Sequence, residues 1–166
     1  MNNSRLNELD ATDRAILAAL QEDARMPNKE IANRIHLAPS ATSERLKKLR
    51  EHGIIDAFET RVNSEKLGIG LLAFVFVRTT EMGRDWSTGK RLAEIDEVQE
   101  VYNISGEDCY LIKVRARDPK ALGRLLRDKV KAIPTVVATR STIVMDIFKE
   151  TCRLPLAPAV ETAEKV

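Results

Sequence analysis

The chain has 166 residues, with 27 basic and 25 acidic side chains and a net charge of +2, and it is 31% charged and 43% apolar. That balance fits one folded domain or two small ones, excludes a disordered chain, and needs no disulfide staples. Two cysteines (Cys109, Cys152) and two histidines (His36, His52) make neither a secreted disulfide scaffold nor a zinc site.

No run approaches the ~20 apolar residues of a membrane span, and the polar start Met1–Arg5 lacks a signal-peptide core. The expectation is therefore a cytoplasmic protein without membrane contact, metal or other cofactor. Residues 1–66 hold 11 basic and 11 acidic side chains, so any nucleic-acid reading must rest on local clustering rather than on total charge.

The first third predicts three short helices. Asp10 caps the first, Asp13 lies in its first turn, and Ile16, Leu17 and Leu20 form its buried stripe. The second starts after Pro27 with Asn28 as cap, burying Ile31, Ala32 and Ile35. His36–Pro39 is a tight break in which His36 is the candidate for the left-handed position. Pro39 opens the third helix, which stops at Gly53. This is helix-turn-helix spacing. Ala57–Val62 reads as a strand, giving a winged-helix-like domain over residues 1–62, with a linker at 63–70.

At 100° per residue the third helix buries Thr42, Leu46 and Leu49. Ser40, Ser43, Glu44 and Lys47 lie opposite, Lys48 and Arg50 flank them, and Arg45 lies at the core boundary. Short polar groups between cations suit a major groove: the former reach base edges and the latter reach phosphates. A merely solvated charged face is the competing reading. Combined with the turn, the pattern favours double-stranded DNA as partner.

Residues 71–150 read as βαββαβ, so the fold class is α+β. The predicted elements are a strand at 72–79, a helix at 86–95, strands at 98–105 and 109–116 around the turn Gly106-Glu107-Asp108, a helix from Asp118-Pro119 to Pro134, and a strand at 136–148. That order is the ferredoxin-like split unit, with both helices on one face of an antiparallel sheet. The first strand is apolar on both faces. Val137, Ile143, Val144, Met145, Ile147 and Phe148 lie on the last, so the open face is expected to be apolar and covered by a second copy. The tail, 151–166, reads as a flexible end. Paired third helices would then reach successive major grooves.

Leu9–Leu17, Ile31–Leu37, Arg45–Ile55, Val98–Tyr110 and Arg140–Val144 resemble, in order and spacing, the Lrp/AsnC (feast/famine) transcriptional regulators over residues 8–150. The resemblance implies dimers that assemble further, commonly into octamers. It also implies a small effector, usually an amino acid, bound near the hairpin turn. The candidate effector residues are Gly106, Glu107, Asp108, Cys109, Tyr110, Ser141 and Thr142. Turn N–H groups with Ser141 and Thr142 would hold a carboxylate. The alternatives are that Gly106 serves only the turn, that Glu107 and Asp108 are solvated charges, that Tyr110 is core, and that Cys109 is an inert thiol. Cys109 stands where the family pattern has Asp, Glu44 where many members have Arg, and His36 and Ala38 where Gly and Ser are common.

Two rival functions remain in view. An architectural DNA-wrapping protein would lack site discrimination and ligand response. An enzyme is the weaker rival: related folds act as decarboxylases using His and Arg, but no His follows residue 52 and no Ser-His-Asp, metal or phosphate-loop pattern occurs.

Overall fold

A computed structural model describes residues 9–81 and 85–156. The start Met1–Arg5 and the tail beyond Leu156 lie outside the described residues, as do residues 82–84. The chain divides into two compact units, one formed by residues 1–61 with 151–166 and the other by 62–150.

The first unit contains α1 (Ala11–Glu22), α2 (Asn28–Arg34) and α3 (Pro39–Glu51). Asp10 caps α1 by accepting from the Asp13 N–H at 2.7 Å. Pro27, rather than Asn28, occupies the cap position of α2, and no side chain caps that helix. Proline fits there because its fixed φ suits extended backbone.

Between α2 and α3, His36 sits at φ 54°. The Leu37 N–H bonds back to Ala32 O and the His36 N–H to Asn33 O, a Schellman termination with histidine in the place glycine usually takes. Gly53, at φ 67°, ends α3 with the same bond pattern. Ala38 at the α3 cap offers no side-chain bond. Ile16, Leu17, Ala19, Met26, Ile31 and Leu49 form the core. Thr42 is fully buried and its hydroxyl is satisfied by Ala38 O at 3.2 Å.

Ala57–Val62 forms no strand. Phe58 and Val62 are about half exposed, and among the described residues no strand of this unit lies alongside to supply ladder bonds. The wing expected from this stretch is absent from the described residues. The described tail, 151–156, is not a free end either. Leu154 exchanges two hydrogen bonds with the Gln21 side chain, and Leu156 packs on the helical core. A weakly apolar composition concealed that one leucine had a socket.

The second unit contains β1 (Leu71–Thr79), α4 (Ser87–Ala93), β2 (Val98–Asn103), β3 (Tyr110–Ala116), α5 (Pro119–Leu125) continuing as a π-helical turn (Leu126–Val130), and β4 (Val136–Ile143). The sheet order is β2-β3-β1-β4, antiparallel throughout, as the split βαββαβ pattern requires. Ala73, Val75, Val77, Ile112 and Val114 of the sheet and Leu92 of α4 are fully buried between sheet and helices.

β4 ends at Ile143 rather than running to Phe148. Its partner β1 begins at Leu71, and the Val144 N–H makes its bond to Leu72 O, so later residues have no ladder to join. The open face also departs from the apolar expectation. Leu72, Phe74 and Phe76 share it with Arg140, Lys113 and Arg115. Glu150 reaches the last two. No helix is long and apolar enough to cross a membrane among the described residues.

Candidate nucleic-acid interface and effector region

Helix α3 presents Ser40, Ser43, Glu44, Lys47, Lys48 and Arg50 to solvent, because its buried positions, Thr42 and Leu49, lie on the far side. Two intrahelical ion pairs tie this surface together, Lys48–Glu44 at 2.9 Å and Lys47–Glu51 at 3.6 Å. The hydrogen bond and charge of Lys48 hold the Glu44 carboxyl below its ordinary pKa. Glu44 therefore stays ionised and offsets one cation of the strip. Arg50 lies over the Phe58 ring, 6.0 Å from its centroid, so its stem is braced while the residue stays exposed.

Arg45 differs from the others. Its guanidinium is 2.7 Å from Asp10 and 2.9 Å from Asp13, and both carboxylates raise its pKa against a smaller opposing effect of burial. It fastens α3 to the start of α1. Asn28, a cap by its local sequence, instead donates through its amide to Ser43 Oγ at 3.0 Å. That places a second hydrogen-bonding side chain beside the strip. Only the contact across the turn reveals it, since the local sequence supports capping equally well.

In the second unit Gly106 turns at φ 123°, a conformation that disfavours any Cβ. Glu107 is exposed and Asp108 half-buried. Asp108 accepts from Arg140 at 3.1 Å, and the Arg140 guanidinium stacks 3.9 Å above the Phe76 ring. The sequence does not single out Arg140, because the pairing that carries it across β1 to the turn is non-local.

Cys109 is a half-buried free thiol whose Sγ lies 3.9 Å from Thr79 O. Tyr110 points into the core at 3% exposure, and its hydroxyl donates to Glu81 at 2.7 Å. Ser141 pairs with Val75 and Thr142 with Phe74, so these neighbours project from opposite faces of the sheet. The structure thus brings Asp108 to Arg140 but separates Ser141 from Thr142 and withdraws Tyr110 from the surface. No cluster of three or more His, Cys, Asp or Glu side chains suits a metal among the described residues.

A helix-turn-helix unit joined to a ferredoxin-like unit defines a class of two-part DNA-binding regulators. Residues 9–50 match the AsnC-type helix-turn-helix domain, and residues 72–154 match the Lrp/AsnC ligand binding domain. The HTH-type transcriptional regulator FL11 of Pyrococcus abyssi is 37% identical over 148 residues, covering 89% of this chain and 97% of the relative. The leucine-responsive regulatory protein of Escherichia coli is 33% identical over 149 residues, covering 89% and 91%.

Among solved structures, a transcriptional regulator of Neisseria meningitidis in complex with L-methionine superposes with a TM-score of 0.82 at 31% identity, covering 89% of this chain and 97% of that one. A feast or famine regulatory protein of M. tuberculosis complexed with L-methionine gives 0.83 at 32%, covering 90% and 99%. The chain belongs to the Lrp/AsnC family of transcriptional regulators.

Proposed function

We propose that this protein recognises a pseudo-palindromic duplex through paired α3 helices and that an amino acid bound near the Gly106 turn modulates that recognition. Residues 1–62 carry the DNA contacts, residues 63–70 link, and residues 71–150 pair the subunits and hold the effector. The observation that carries the reading is the exposed strip of Ser40, Ser43 and Lys47 on α3, extended by Asn28. It offers hydrogen-bonding groups to base edges, while Lys48 and Arg50 reach phosphates on either side.

Pairing through the second unit is supported by Met145, 87% exposed, and Phe148, 99% exposed. Side chains this apolar call for cover in a soluble regulator. Further assembly into octamers accords with the family. The amino-acid class is supported by the methionine complexes of the two structural relatives, and the Arg140–Asp108 pair at the turn supplies charges of both signs for such a ligand. The protein acts in the cytoplasm as a regulator rather than an enzyme.

The test begins with duplexes selected from a random pool by the protein itself. Their binding is compared with random duplex across a salt series, with and without each of the twenty amino acids. A specificity ratio of about 10³ or more that shifts with one amino acid supports the proposal. Equal binding of selected and random duplex at every salt concentration means non-specific wrapping instead.

A further inference from the structure

Residues 117–131, which hold α5 and its π-helical continuation, carry six basic and two acidic side chains. Their net charge of +4 exceeds the +2 of the whole chain, so all other residues together sum to −2. Both acids are engaged close by. Asp118 caps α5 through the Ala121 N–H at 2.7 Å, and Asp128 holds Arg127 at 2.8 Å. Lys129 is drawn aside to Glu97 at 2.7 Å.

Leu122, Leu125 and Val130 are buried against the sheet. Lys120, Arg124, Arg127 and Lys131, spaced by four, three and four residues, share the outer side, and all four are exposed. At ~1.5 Å per residue this stripe runs ~16 Å. Among the described residues the side chains of Lys120, Arg124 and Lys131 have no ion-pair or hydrogen-bond partner. Helix α3 is built differently, since its Lys47 and Lys48 are each paired with a glutamate of the same helix.

Gly123 is a second and independent sign. It stands three residues after Lys120 and four before Arg127, beside both on the exposed side. A Cβ there would meet open space, so packing does not call for glycine, and glycine is a poorer helix former than alanine. What the missing side chain does allow is close approach of another molecule to the helix backbone.

We infer that the outer side of α5 is a second DNA-contacting surface, on which Lys120, Arg124, Arg127 and Lys131 bind duplex phosphates without regard to sequence. The inference goes beyond the α3 reading and concerns the second unit by itself. A duplex carries one negative charge per ~1.7 Å of its axis, about nine over the length of the stripe, and each cation that meets a phosphate releases counterions. Residues 117–131 contain no Ser, Thr, Asn or Gln, so this surface offers charge without the short polar groups that α3 presents to base edges.

The test compares the full-length wild type with a variant combining Lys120→Gln, Arg124→Gln and Lys131→Gln, whose glutamines keep helix propensity. Binding to selected and to random duplex is measured across a salt series. The triple variant should bind both more weakly and shallow the slope of log affinity against log salt by about two to three units. The ratio between selected and random duplex should stay within about threefold, because no base contact is removed. Gly123→Glu sets an anion into the stripe and should weaken binding to both duplexes by about threefold or more, while its melting temperature does not fall.

A triple variant with the wild-type slope overturns the inference and leaves a solvated charged face. So does a variant whose sedimentation without DNA differs from wild type, which would make the stripe a contact between subunits. Should the triple variant fail to fold, Arg124→Gln with Lys131→Gln takes its place, with an expected change of about two units. A wild type that binds selected and random duplex alike overturns the α3 reading, yet the slopes still decide this inference.

Discussion

The Tyr110 hydroxyl donates a 2.7 Å hydrogen bond to Glu81 Oε2, and through it a strand and a helix start are held together. The other oxygen of Glu81 accepts from the Thr88 N–H at 2.5 Å and from Ser87 Oγ at 3.0 Å. Trp86, at the α4 cap position, contributes no side-chain bond, so Glu81 caps α4 from outside the helix. The Tyr110 ring lies so close to α4 that a Cβ at position 89 would stand 2.8 Å from its Cε1.

Gly89→Ala should therefore destabilise the second unit. Alanine gains about 1 kcal/mol of helix propensity over glycine. Displacing a packed aromatic ring costs about 1–3 kcal/mol, more when its buried hydrogen bond is broken as well. The net loss should appear as a lower urea midpoint with unchanged slope. A midpoint raised by the substitution would mean that the ring yields without strain.

Burial, the hydrogen bond to Glu81 and the charge of that carboxylate push the Tyr110 hydroxyl up to about 12. A group whose pKa is higher in the fold than in the open chain stabilises at low pH and loses that contribution as pH rises. Here the contribution is full below about 10 and is lost between about 10 and 12, on the order of 2–3 kcal/mol. Stability measured across that window should fall more steeply for wild type than for Tyr110→Phe. Glu81 has the opposite sign. Burial raises its pKa, but its bonds from Thr88, Tyr110 and Ser87 outweigh that and hold it below 4.5, so its contribution fades as pH falls below that value.

Features decided within four or five residues were legible in the sequence. Asp10 as a cap, Pro39 opening α3, His36 in the left-handed turn and Gly53 ending the helix all follow from local backbone chemistry. What escaped was set by partners distant in the chain. The end of β4 depends on where β1 begins. The role of Arg45 depends on two aspartates more than thirty residues away. The charge on the open face depends on Glu150 folding back over β3. Tyr110 belongs to the same group. The sequence offers it both as core and as an effector residue, and the register with Val77 decides for the core side of the sheet.

The α2–α3 turn offers a gain of stability. Ala38 has the extended backbone of a cap residue, φ −69° and ψ 141°, but no side chain to bond the first turn. Ala38→Ser supplies an acceptor and should raise stability by about 0.5–2 kcal/mol. His36→Gly relieves the left-handed strain but frees the unfolded chain, so its gain should be smaller, a few tenths to ~1 kcal/mol. Thermal unfolding of the two single variants orders them. A destabilised Ala38→Ser would show that the α3 N-terminus is already satisfied.

Cations on α3 should separate into two kinds under a salt titration. Lys48→Ala and Arg50→Ala, if each side chain meets a phosphate, should weaken binding to all duplexes and shallow the slope of log affinity against log salt by about one unit each. Ser43→Ala and Lys47→Ala should instead narrow the gap between selected and random duplex, if their side chains meet base edges as proposed. Arg45→Ala should lower affinity for every duplex and leave the salt slope unchanged, since its guanidinium is engaged by Asp10 and Asp13. It should also lower the melting temperature, because α3 loses its fastening to α1 and Asp13 loses a bonding partner. An Arg45→Ala protein with wild-type melting and a slope shallower by one unit would place Arg45 on a phosphate and return it to the contact surface.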